Sequence, residues 1–224
     1  AFTVDADHLI FSRITITPDQ AEMVAIYNPT NDVVNQSDYY LSDAESSPTI
    51  HYYNLPSGDN YIGEFTQTDF VVRFPLSEEI AQGEIKYISL SGNGEFENYY
   101  GFSPDLIMQN DMQSAIDGEN SISTQANILD DDHEVLILFK WDGDSNSLVQ
   151  DIDYFYWGDS PWLELYGIDK TDFLTYKEDT PLYIDDLPIG SELRAQEQNI
   201  LDPHELGYAY RRVSLNEEIG ELGP

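Results

Sequence analysis

Glu22-Met23-Val24-Ala25-Ile26-Tyr27-Asn28-Pro29-Thr30-Asn31-Asp32 is the stretch on which the fold turns. Its first half is a short apolar run with the length of a strand rather than a helix, and it carries β-branched and aromatic side chains. Its second half is a turn cluster. Proline biases Asn28 toward extended backbone, and the short amide of Asn28 is suited to bond the backbone just beyond it. A strand that stops on such a signal calls for another soon after. Asp38-Tyr39-Tyr40-Leu41 supplies it and breaks at Ser42-Asp43.

The same pattern of short apolar runs bounded by Gly, Pro, Asn and Asp recurs along the chain. Strands are predicted upstream over residues 9–16, ahead of Pro18, and downstream over 70–74, 85–90, 134–141, 151–157 and 208–213. Residues 135–139 are continuously apolar, which predicts a strand covered on both faces. Two short helices are predicted, 95–100 closed by Gly101 and a second over 111–116. Long connections occupy 44–68, 91–130 and 158–209, and segments of that length are functional or carry local structure of their own. There is no internal repeat. The expected fold is all-β, a sandwich with long loop insertions and one or two short helices.

These residues also resemble the lamin tail domain family. The Glu22–Thr30 strand and turn are similar to that family's glu-apolar-val-glu-ile-tyr-asn-pro-thr segment. In order follow Asp38-Tyr39-Tyr40-Leu41-Ser42-Asp43, then Ile80-Ala81-Gln82-Gly83-Glu84 before a strand, then a hairpin ending Trp157-Gly158, and last Tyr210-Arg211-Arg212-Val213. The resemblance spans roughly Leu9 to Leu215 and treats residues 1–224 as one domain. It implies an immunoglobulin-like β-sandwich acting as a structural or interaction module, without a catalytic set, in exported bacterial proteins. There are departures. Ala25 stands where the family has a second acid, and Gln82 where proline is common.

Composition bounds the function. The chain has 224 residues, 41% hydrophobic and 13% aromatic, enough for a sizeable core. Nine Lys+Arg against 43 Asp+Glu give a formal charge of −34. Such a field repels nucleic acid and anionic lipid, and Arg211-Arg212, the one basic pair, is too small to track phosphates. Two explanations of the acidity stand, a surface adapted to high salt and local clusters that hold divalent cations; carboxylates spread along the whole chain favour the first. No apolar run approaches the roughly 20 residues that span a bilayer. Cysteine is absent, which removes disulfides and thiolate metal sites. The chain starts at Ala1, as either the mature form of an exported protein or a trimmed chain would, and the resemblance to domains of exported bacterial proteins is what implies a secreted, periplasmic or cell-surface place.

Chemistry-bearing motifs are few. Asp142-Gly143-Asp144-Ser145-Asn146-Ser147, with Asp153 beyond, places oxygen donors at alternate positions and makes Asp142, Asp144, Asn146 and Asp153 a candidate Ca²⁺ loop. The sixth position is Ser147 rather than Gly, Asp153 replaces the long bidentate Glu, and the same cluster suits a hairpin turn, which is the preferred reading. Asp130-Asp131-Asp132 is a weaker candidate and reads as a solvated loop. His8, His51, His133 and His204 are scattered, and no nucleophile elbow, His-Glu-x-x-His or phosphate loop occurs. Trp162 and Tyr166, beside Pro161 in a long loop, are candidate binding anchors for a sugar or a partner protein, and a loop packed onto the sandwich is the preferred reading. No catalytic residues and no cofactor are expected. The expected function is a non-catalytic module that meets a protein or a cell-surface polymer. The alternative is a Ca²⁺-dependent adhesin or carbohydrate-binding module, and an unrecognised hydrolase ranks third.

Overall fold

The computed structural model describes residues 3–43, 70–91, 95–115, 128–144, 149–158 and 202–218. The strands in chain order are β1 (Thr3–Asp5), β2 (Ile10–Thr15), β3 (Met23–Tyr27), β4 (Val34–Asn35), β5 (Tyr39–Ser42), β6 (Val71–Arg73), β7 (Glu79–Ile80), β8 (Ile85–Ser89), β9 (Leu106–Ile107), β10 (Gln113–Ser114), β11 (His133–Lys140), β12 (Gln150–Gly158), β13 (Tyr210–Arg211) and β14 (Asn216–Glu218). Two short helices, α1 (Phe96–Tyr100) and α2 (Met108–Asp111), interrupt them.

Ten strands form two sheets of five, ordered β13-β2-β3-β8-β9 and β10-β6-β5-β11-β12. The chain passes from β3 to β5, back from β6 to β8, and over again to β11. This is the Greek-key crossing of an immunoglobulin-like sandwich. Pairing is antiparallel except between β8 and β9. Alternate residues of the facing strands fill the space between the sheets. Phe11, Ile14, Val24, Ile26 and Ile88 come from one sheet, and Leu41, Val72, Leu136, Leu138 and Ile152 from the other. Trp157, fully buried, joins this core and donates its indole N–H to the Asp130 carbonyl at 2.8 Å.

The expected strand 134–141 is β11, and residues 135–139 are buried on both faces as its unbroken apolar run requires. Glu95 to Tyr100 closes as expected on Gly101, whose φ of 75° accepts the helix-ending left-handed turn. The second helix is a correction. It lies at Met108–Asp111, and Gln113 and Ser114 instead extend the sheet by pairing with Arg73 and Val72. The unpaired edge of β6 takes these residues, a tertiary demand that local helix preference cannot oppose. The strand expected over 208–213 is also shorter, because only Tyr210 and Arg211 pair with β2, and it is not the last, since β14 follows and pairs with β1.

Candidate functional site

The turn that ends β3 is closed by one side chain. Asn28 is fully buried, and its amide donates to the carbonyls of Asp32 at 2.8 Å and Ile80 at 3.0 Å. Its Oδ1 accepts from the Thr30 N–H at 3.0 Å and the Thr30 hydroxyl at 2.7 Å. Its backbone bonds Glu84 and Gly83 on the far side. A buried amide must satisfy both donors and its acceptor, and Asn28 does so only with these two turns together. The Tyr-Asn-Pro-Thr segment and the Ile80–Glu84 turn, distant in sequence, are one joint in space.

Glu22 makes a second joint. It enters β3 with no solvent exposure, and its carboxylate accepts the N–H of Ile128 at 2.8 and 3.0 Å and that of Leu129 at 3.0 Å. This ties the approach to β11 onto the opposite sheet. Burial pushes the carboxyl pKa up to about 8 against the pull of the two N–H donors, and Asp19 and Asp131 add to the rise. Sequence reasoning had no role for Glu22 beyond the resemblance. The available signal was an acid set directly between Ala21 and Met23 at the head of an apolar strand.

Asp153 makes the third. Its carboxylate, 1% exposed, accepts from the Phe11 N–H at 2.6 Å and the Tyr154 N–H at 2.9 Å, and it faces the Arg212 guanidinium at 3.2 and 3.3 Å. The extra residues Ser12 and Ile152 bulge β2 and β12 beside it. Bulges re-aim side chains, and here they bring an acid of one sheet onto the backbone of the other.

The four proposed Ca²⁺ ligands therefore divide. Asp153 is committed to Phe11, Tyr154 and Arg212. Asp142 accepts the Asp144 N–H at 2.9 Å, the self-bonded geometry of a turn, and the Asp144 carbonyl takes the Trp141 indole N–H at 3.1 Å. Asn146 lies outside the described residues, as do Trp162, Tyr166 and His51. Asp130 closes its own turn by accepting from the N–H of Asp132 and His133. Burial and the neighbouring Asp19, Asp130 and Asp132 raise the Asp131 pKa. Among the described residues no three His, Asp or Glu side chains gather in a way that would hold a metal ion. His204 accepts the Ile16 N–H at its Nε2 (2.8 Å), so its Nδ1 carries the proton, 3.0 Å from the Glu205 carbonyl.

The outer face of the β2-β3-β8 sheet carries an aromatic cap. Phe96 of α1 packs on Met23 and Ala25, with Tyr87 and Tyr100 beside it. Phe102 stands edge-on to Tyr87 at 4.9 Å and to Phe96 at 5.3 Å, and remains 40% exposed. The small side chain of Ala25, where a second acid was expected by resemblance, is what Phe96 sits on.

The sequence matches no protein-family profile and no curated protein. The structure is similar to that of a DUF4876 family protein from Bacteroides thetaiotaomicron VPI-5482, with 15% identity and a TM-score of 0.43, covering 70% of this chain. The chain spans 55% of that protein's length. No helix among the described residues is long and apolar enough to cross a membrane.

Proposed function

We propose that this chain is a non-catalytic, lamin-tail-like sandwich of an exported bacterial protein, a module that meets a protein or a cell-surface polymer. One observation carries the reading: three buried polar side chains are spent on joining segments of the fold. Asn28 closes two turns, Glu22 ties residues 128–129 to β3, and Asp153 with Arg212 bridges the sheets. A reactive group needs lone pairs or protons open to substrate, and these have theirs engaged by backbone. The resemblance supports the same reading, because its separate segments converge at the Asn28 joint and at Arg212.

The test is direct. Purified protein is offered phosphoester, carboxylic ester and glycoside substrates, and in parallel isolated cell-surface polymers in a sedimentation assay with Ca²⁺ or Mg²⁺ at matched ionic strength. Cosedimentation without turnover is the expected result, equal in both cations. Turnover abolished by a single substitution overturns the reading. Retention that needs Ca²⁺ and is lost with Asp142→Ala, Asp144→Ala replaces it with the Ca²⁺-dependent adhesin.

A further inference from the structure

Two of the nine basic residues of this acidic chain face each other. Arg211 of β13 is paired directly with Arg13 of β2. The register continues through Ala25 to Tyr87, so the four lie in one row across the sheet. Both arginines point outward, because their neighbours on each strand are pulled in. On β2, Ile14 is in the core. On β13, Tyr210 packs on Phe155 and His204 at 4.8 and 5.0 Å, and just past the strand Arg212 is held by Asp153.

Like charges directly opposite on adjacent strands destabilise a sheet. A chain with 43 acids has ample means to neutralise such a pair, yet neither guanidinium makes a hydrogen bond or ion pair among the described residues. Arg13 is half-buried and near enough to Tyr100 for its charge to act on the phenol, and Tyr100 in turn touches Phe102 at 6.0 Å. Arg13 therefore stands beside the aromatic cap, with Arg211 opposite it on the neighbouring strand.

We propose that Arg13 and Arg211 form a binding site for the carboxylate of a small ligand. This goes beyond the accessory-module reading and does not depend on it. Guanidinium forks match the planar geometry of a carboxylate, and an anion between them removes their mutual repulsion. The surrounding field selects among oxyanions. Bringing charge toward a body of −34 costs in proportion to that charge, which favours a monoanionic carboxylate over a phosphate dianion.

The probes are acetate, galacturonate, galactose and inorganic phosphate, titrated into the full chain at fixed ionic strength while the arginine Nε–Hε resonances are followed. Acetate and galacturonate are expected to shift the Arg13 and Arg211 signals saturably, more strongly than phosphate, with galactose inert. Arg13→Gln and Arg211→Gln each weaken carboxylate binding about tenfold, the worth of one charge-assisted bond. Lys140→Gln, the same charge change elsewhere, leaves it within about twofold. Melting curves confirm that each variant is folded. Arg211→Lys, which keeps charge and loses the fork, takes the place of a Gln variant that is not, with the same expected direction. No saturable shift, equal affinity in the arginine variants, or binding of galactose or phosphate as tight as that of the carboxylates overturns the proposal.

Discussion

Raising the pH from mildly acid to mildly alkaline should destabilise this protein through Glu22. In the unfolded chain its carboxyl loses a proton near 4.5, and in the folded chain near 8. The folded state therefore binds more protons throughout that window, and the sign follows. The stability due to this group is fully present below about 4.5 and is lost as the pH rises through about 8. At about 1.4 kcal/mol for each pH unit between the two values, the loss is on the order of 5 kcal/mol. For a chain of this length that is roughly 10 °C of melting temperature, at about 2 °C per kcal/mol.

General repulsion among 43 acids also grows with pH, so the effect of Glu22 must be isolated. Glu22→Gln does this in molar salt. The amide keeps one oxygen for Ile128 and Leu129 and does not titrate. Urea unfolding is followed by the fluorescence of the buried Trp141 and Trp157 from about pH 5 to about pH 8. Wild type should lose about 3–5 kcal/mol relative to the variant across that range. A difference that stays constant refutes the reasoning. The N–H groups of Ile128 and Leu129 would then hold an ionised carboxylate in the fold, outweighing its burial.

Arg212→Gln strips Asp153 of its counter-charge. It should cost about 2–3 kcal/mol, below the usual figure for a broken buried pair because the Arg212 side chain is 26% exposed; a double-mutant cycle with Asp153→Asn that shows no coupling sinks the joint. Gly158→Ala should cost about 2 kcal/mol or more in urea unfolding, since φ is 103° and a Cβ there would stand 2.1 Å from the Asp132 carbonyl oxygen; a variant as stable as wild type would mean that the end of the hairpin yields freely. Stability should rise from very low to molar salt as ions screen the charge of −34, and a flat melting temperature would show those acids already neutralised by bound cations.

How much of this was legible in the sequence follows from how each residue works. Residues 23–27, 85–89 and 133–140 were readable because their strand character is local, written in β-branched runs closed by turn residues. Asn28 was readable as a turn former. That its second donor reaches Ile80 was not, since nothing between the two positions encodes the meeting. The two-residue strands β4, β7, β9 and β10 left no pattern because their partners define them. Asp153 misled for a physical reason. Its spacing after Asp142 and Asp144 suits a cation loop, and only the bulge at Ile152 shows that the carboxylate turns toward Phe11.

The acidity of the chain gives its few cations their meaning. Among the described residues Arg73 pairs with Asp38, Lys86 with Glu78 and Arg212 with Asp153. Lys140 stands over the ring of Tyr39 at 5.7 Å. Burial lowers the Lys86 pKa while the charge of Asp105 opposes the fall. A surface adapted only to salt would leave its remaining bases scattered, and in a field this negative each would gain most by moving toward carboxylates. Arg13 and Arg211 do the opposite, because the pairing of β13 with β2 brings them together and the anchoring of Tyr210 and Arg212 keeps them there. The same two contacts that lock the closing strand into the sandwich hold two guanidinium groups open on its outer face. The fold of the C-terminal segment and the proposed carboxylate site therefore share one cause, and loosening the Asp153–Arg212 joint should disturb both.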